Sequence, residues 1–270
     1  MNEDTWLEIF NYLNIQFVKT RISIVNKQFN KFAKNIKFIE INLTNNYSLL
    51  TDDILKTLTN LINLDLGNNK NITDQGIKDL NLITISLCIN RNITDQGIGN
   101  LTNLRSLNLD CNKVVTDCGI KHLNLTSLDL YNNTNITDQG VKTLTNLVKL
   151  SLWNNQNITD QGIKHLNLTT FNLGHNQNIS ESGINNLINL TDLNLGSNVN
   201  VTDQSIKDLT NLISLKLAFN KNITDQGIKD LTNLTSLSLG WNESITGQGI
   251  KRLIKLVNFD RGSNRNVRIL

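Results

Sequence analysis

Residues 104–120 read Leu104-Arg105-Ser106-Leu107-Asn108-Leu109-Asp110-Cys111-Asn112-Lys113-Val114-Val115-Thr116-Asp117-Cys118-Gly119-Ile120, and this stretch decides the fold. Leu104, Leu107, Leu109 and Asn112 spell LxxLxLxxN. The alternation over Leu107 and Leu109 predicts a short strand with one buried face. The Thr-Asp-x-Gly-Ile phrase after it opens a short amphipathic helix. An earlier copy shows the helical spacing more fully, in Ile72, Ile77 and Leu80. There Thr73 is a natural N-cap, and Asp74 suits the positive end of the helix dipole. Gly76 removes a side chain where neighbouring coils are expected to approach closely.

Working outward, the phrase repeats. Its Thr or Ser falls at Thr51, Thr73, Thr94, Thr116, Thr137, Thr159, Ser180, Thr202, Thr224 and Thr246, a period of 21 or 22 residues. The strand pairs recur with it, from Leu64/Leu66 to Leu237/Leu239. Ile41/Leu43 and Phe259/Arg261 look like degenerate end members. One strand and one helix cannot bury a core alone, but stacked neighbours can.

Composition agrees with this and excludes other classes. The chain has 270 residues, 39% hydrophobic, with formal net charge +3, no proline and 5% aromatics. Asparagine numbers 47. A prion-like tract would also be rich in Asn, but here Leu and Ile are too frequent and too regularly placed. No apolar run is long enough for a transmembrane helix. Met1–Phe10 carries acids and no apolar core, which speaks against a secretory signal. Three cysteines do not make a disulfide framework. An intracellular, cytoplasmic location is expected, with the nucleus, or a host cytoplasm for a viral source, also open.

The repeats resemble leucine-rich repeats of the "ITDxG" subclass, over about residues 38–266. The resemblance implies an α/β solenoid of about 10–11 repeats of 21–22 residues spanning 38–270, a horseshoe with a parallel sheet on its concave face and short helices on its convex face. The ninth motif position is Asn in every unit, from Asn46 and Asn69 to Asn264. An inward amide both donates and accepts, so stacked asparagines satisfy backbone groups at the turn. A second column, including Asn71, Asn92, Asn135, Asn157, Asn178, Asn200 and Asn222, reads as local turn chemistry.

Residues 1–37 do not repeat. Trp6, Ile9, Phe10 and Leu13 form one helical stripe, and Ile22, Val25, Phe29 and Phe32 a second. On pattern alone this is a helical cap over the first strand edge. The runs Asp4–Leu13 and Ile22–Ala33 also resemble the opening and closing helices of an F-box, without the Leu-Pro that usually begins one. That resemblance implies a Skp-type adaptor as partner, gripped through Trp6, Leu7, Ile9, Phe10, Leu13 and Val25, within a cullin ubiquitin ligase. The solenoid would then hold a protein substrate, of unknown identity.

The expected substrate face follows from the strands. The residue between the paired leucines faces the concave side, giving Asp65, Ser86, Asn108, Asp129 and their successors to Lys216 and Asp260. Just past each pair lie large aromatics where most repeats have small residues: Tyr131, Trp153, Phe219 and Trp241. With Asp110 and Asp192 these complete the candidate binding set of Asp65, Asp110, Asp129, Tyr131, Trp153, Asp192, Lys216, Phe219 and Trp241. Aromatics at exposed positions mark interaction sites; padding of the turn is the alternative.

The last 21 residues hold six Lys/Arg against one acid. Residues 41–249 are net acidic, so the basic balance does not point to nucleic acid. No catalytic constellation, cofactor motif, metal-ligand spacing or membrane partner is expected. His122 and His165 occupy one repeat position, His175 reads as a turn residue, and Cys88, Cys111 and Cys118 match no zinc pattern. The reading is a non-catalytic protein-interaction chain. A plain interaction scaffold with residues 1–37 as a cap is the alternative.

Overall fold

The computed structural model describes residues 39–42, 51–56 and 58–267. The F-box-like segment, with Trp6, Leu7, Ile9, Phe10, Leu13 and Val25, lies outside the described residues, as do Leu43 and Asn46. Eleven strands, from Ile39–Asn42 to Asn258–Asp260, form one parallel sheet in strictly sequential order. Each is in register with the next, Leu107 beside Leu128, Leu128 beside Leu150, apart from a bulge between Ile39 and Glu40 in the first pair.

Most strands are three residues long, and the middle residue points inward. Leu107, Leu128, Leu150 and Phe171 are buried, together with the second leucine of each pair. Between successive strands the chain makes a single helical turn, such as Asp74–Ile77, Asp95–Ile98 or Asp117–Ile120. These helices are shorter than the Ile72–Leu80 spacing suggests. Ile72 is buried ahead of the helix and Leu80 is buried after it, so the apolar stripe covers a turn at each end as well. One continuous hydrophobic core runs between sheet and helices from Leu55 to Val267.

Three ladders hold the coils together. In the first, Asn90 Nδ2 donates to the carbonyls of Leu66 (2.8 Å) and Asn69 (3.1 Å) of the preceding coil. Its Oδ1 accepts from Asn92 N–H and Ile93 N–H, both at 2.9 Å. Asn112, Asn133, Asn155, Asn176, Asn198 and Asn220 repeat the arrangement, and all are fully buried. The expected role of these amides is thus met by four bonds apiece.

The second column does more than shape its own turn. Asn92 Nδ2 reaches the Lys70 carbonyl of the coil before (2.6 Å), Asn157 reaches Thr134, and Asn222 reaches Val199. At these positions it is a ladder between coils, which corrects the purely local reading, whereas among the described residues Asn135 makes only the local turn bond, from its N–H to Asn133 Oδ1.

The third ladder involves the Thr-Asp-x-Gly phrase. Thr73 Oγ1 caps its own helix by accepting from Gln75 N–H. Asp74 does not merely face the helix dipole. Its carboxylate accepts from the backbone N–H of Thr94 (2.7 Å) and from Thr94 Oγ1 (2.6 Å) in the next coil. Asp52, Asp95, Asp117, Asp138, Asp160, Asp203 and Asp225 each strap the following Thr or Ser in the same way. Hydrogen bonds to a charged group contribute about 1.5–3 kcal/mol. The strap also explains the glycine: a Cβ on Gly97 would fall on the Asp74 carboxylate, and a Cβ on Gly119 on that of Asp95.

Burial would raise the carboxyl pKa of Asp160, yet bonds from Ser180 Oγ, Ser182 Oγ and Ser180 N–H outweigh burial and hold it below its usual value.

Candidate protein-binding surface

A parallel sheet is ordinarily covered on both faces. Here the helices cover one. The other presents two polar columns per strand, such as Ser106 and Asn108 or Ser127 and Asp129, flanking each buried leucine. Past the strands lies a rim where each chain segment turns toward its ladder Asn.

The acids placed on the concave face have local employment. Asp65 Oδ1 accepts from Gly67 N–H and Asp129 Oδ1 from Tyr131 N–H, both at 2.9 Å. Asn108, Asn172 and Asn194 accept from the same relative position. Asp and Asn therefore share a turn-closing task in this column, and the second oxygen of Asp65 accepts from Asn42 Nδ2 at 3.1 Å. Burial is the main cause of a raised Asp129 pKa, with help from the nearby Asp110 charge, against bonds from Tyr131 N–H and Ser151. Asp192 accepts from Thr191 Oγ1 (2.9 Å), and Lys216 stands exposed at its strand end.

Asp110 lies in the rim beside Cys88, whose thiol donates to Asp110 Oδ2 at 3.4 Å. Its Oδ1 is buried and lacks a hydrogen-bond partner among the described residues. Burial, and then this bond to Asp110, pushes the Cys88 thiol up to about 12. Cys88 is therefore a protonated donor and a poor nucleophile. Cys88, Cys111 and Cys118 are all free thiols.

The four aromatics separate into two kinds. Tyr131 is 40% exposed, Phe219 55% and Trp241 54%. Trp153 is half-buried, because its indole lies over Gly174 and extends toward Gly196. A Cβ at Gly174 would fall inside that ring. His175 packs beside it with centroids 5.2 Å apart. The expectation of four exposed anchors is corrected at Trp153, whose neighbours one and two coils on are small enough to be covered. The signal was present in the run Trp153, Gly174, Gly196 at one repeat position, but only pairing across coils gives it meaning.

The rim backbone is unusual. Asn68, Ile89, Cys111, Asn132, Asn154, His175, Ser197 and Phe219 all adopt φ between +47° and +58°. Asn, and to a lesser degree other short polar residues, tolerates that region; a β-branched Ile or a bulky Phe is an outlier there. In the next coil Gly240 takes the left-handed conformation (φ +52°) one position earlier, sparing Trp241.

Among the described residues no group of three or more His, Cys, Asp or Glu side chains is placed to hold a metal ion. No helix among them is long and apolar enough to cross a membrane.

The fold and this uncovered face define a parallel β/α solenoid of the interaction type. Its coils are leucine-rich repeats: residues 57–80, 100–123, 121–145, 208–232 and 230–253 match the family model described as Leucine Rich repeat. Among solved structures, an internalin (inlF) from Listeria monocytogenes is similar, with 27% identity and a TM-score of 0.56 over 91% of this chain and 78% of that one. A TLR13 structure solved with ssRNA13 is similar in fold, at 22% identity and a TM-score of 0.56, over 88% of this chain and 38% of that one. Comparison with curated protein sequences finds no match.

Proposed function

We propose that the protein is a non-catalytic recognition subunit of a Skp–cullin–F-box type ubiquitin ligase. In this reading residues 1–37 bind a Skp-type adaptor and the solenoid holds a protein substrate for modification by other subunits. The chain then acts as a bridge between two binding sites, in the cytoplasm. The observation that carries the recognition role is the sheet face, where polar residues and exposed aromatics occupy strand and rim positions that a second layer would otherwise cover. The adaptor role rests on the likeness of Asp4–Leu13 and Ile22–Ala33 to F-box helices, set directly before "ITDxG" repeats.

The test is a pull-down of the full chain with a purified Skp-type adaptor. Wild type is expected to be retained, and Leu13→Asp to lose retention while keeping the melting temperature of the solenoid. An adaptor that ignores wild type overturns the ligase reading and leaves a plain interaction scaffold, with residues 1–37 as its cap.

A further inference from the structure

Phe219 and Trp241 stack on neighbouring coils, their centroids 6.0 Å apart and their planes 17° from parallel. Each has more than half its surface in solvent, so neither is explained by the core. Phe219 also sits at φ +58°, where the other coils use Asn, Cys, His or Ser and, once, Ile89. A bulky side chain is strained there, with little burial to offset it.

The backbone yields around the pair. From Asn68 to Ser197 the left-handed residue donates its N–H to the next coil, ending with Ser197 to Ala218 at 2.7 Å. Among the described residues Phe219 does not continue the series. Asn242 donates to the Ile223 carbonyl (3.1 Å), where Asn220 donates to Leu195 and Asn198.

The surroundings are cationic. Lys216 and Lys221 are exposed in the coil of Phe219, and Arg261 and Arg265 are exposed beside Trp241 in the coil after it. Glu243 and Asp260 oppose them, but Asp260 already accepts from Ser238 Oγ and Gly262 N–H. A depression of about 260 Å³ opens between Trp241 and the Arg261–Arg265 segment. It is smaller than the usual small-molecule site of about 300–1,000 Å³ and has room for one large side chain.

The chemistry recurs once. Ile89, 46% exposed at φ +56°, lies between Lys70 and Arg91 beside a depression of about 220 Å³. Of the coils between these two places, the first carries Lys113 after its ladder Asn and the others Thr134, Gln156, Gln177 and Val199, with Cys111 and then polar residues at the left-handed position. Both apolar left-handed residues, Ile89 and Phe219, thus have a basic residue two positions on, Arg91 and Lys221.

We propose that the Phe219–Trp241 rim docks an acidic peptide segment of a partner protein, with one aromatic or other large apolar side chain seated between Trp241 and Arg261–Arg265. The rings supply a rigid apolar anchor and the arginines and lysines steer the acidic flanks. A nucleic acid would need a continuous cationic track. The uncharged middle of the rim, and Asp129, Asp192 and Asp260 on the adjoining face, break one. The inference rests on the solenoid being a protein-binding surface and not on the F-box.

The test selects a random peptide library on immobilised full-length chain and measures the enriched peptides, resynthesised with a fluorophore, by anisotropy. Enriched peptides are expected to be acidic with an aromatic or large aliphatic residue. Trp241→Asn and Phe219→Asn, which install the residue type other coils use on this rim, should each weaken them about tenfold or more with the melting temperature retained. Arg261→Ala with Arg265→Ala should weaken them and flatten the salt dependence. Lack of enrichment, enrichment of neutral or basic peptides, or affinity unchanged in both aromatic variants overturns the proposal. So does a polydeoxythymidine oligonucleotide that binds the same rings more tightly than the peptides. Adaptor retention is scored on the same proteins, so wild type that holds peptide but not adaptor overturns the F-box reading alone.

Discussion

The coils from Asp52 to Ser180 and those from Glu181 to Asn242 are joined differently. In the first region every joint repeats the same strap of aspartate to threonine or serine, and every ladder amide from Asn90 on meets the same two carbonyls. In the second region two joints depart. Glu181 stands where an Asp is expected, and among the described residues it makes no strap to Thr202. Thr202 N–H is instead met by Ser205 Oγ at 3.1 Å in a capping box. Ser205 occupies the position that is Gly in every other coil from Gly76 to Gly249, and there no preceding carboxylate fills that space. Two substitutions 24 positions apart in number are one event in space. The second departure, at Phe219 and Trp241, has a compensating partner in Gly240, which takes over the left-handed turn. Departures from a repeat come in pairs because the contact each position makes is with its counterpart one coil away.

The largest effect separating the regions is expected in the ladder. Asn155→Ala removes two donors from the Leu130 and Asn133 carbonyls and the acceptor for the Asn157 and Ile158 N–H groups, all inside the regular array. At about 1–3 kcal/mol for each buried polar group left unpaired, equilibrium urea unfolding should register a loss of more than about 3 kcal/mol. A loss below about 1 kcal/mol would show that the ladder is not what unites the coils.

The strap comes next, and it sharpens the comparison directly. Gly97→Ser should destabilise by about 1.5–3 kcal/mol, because Asp74 already fills the space. The opposite change at the irregular joint, Ser205→Gly, should cost about 1 kcal/mol by uncapping Thr202. Adding Glu181→Asp to Ser205→Gly should restore a strap and recover that loss, whereas Glu181→Asp alone should destabilise by crowding Ser205. Additive behaviour in this double-mutant cycle would sever the link between the two positions.

A smaller effect is a matter of pH. Asp160 has a folded pKa below its usual 3.8, so its strap contributes stability above that value. The contribution should fade as pH falls through 3.8 toward the lower folded pKa. Asp160→Asn should therefore lower the melting temperature at neutral pH and flatten its acid limb. A variant that keeps the wild-type slope would remove Asp160 from the account.

The sequence made much of the fold legible. Leu107 and Leu109 alternate as a strand, Asn112 repeats as an inward turn residue, and Thr116 caps a helix, all from spacing within one coil. The candidate face was legible in part: Tyr131, Phe219 and Trp241 do stand exposed. Trp153 was not, because its cover comes from the absence of side chains at Gly174 and Gly196. The second Asn column was misread for the same reason, since Asn92 bonds to Lys70 of the preceding coil as a donor no local pattern displays.

By itself, then, the order of residues determined the coil: its period, its strand, its capped turn and its buried apolar positions, because these depend on alternation and helical spacing over a few neighbours. Only the stacking of coils decided that Asp74 is a strap, that Gly97 is its complement, that Ser205 stands in for a missing carboxylate, and which aromatic rings remain in solvent. The strap and its glycine depend on atoms 20 to 23 residues apart meeting across one coil-to-coil spacing, and the cover of Trp153 reaches two coils on to Gly196, distances that local sequence patterns do not span.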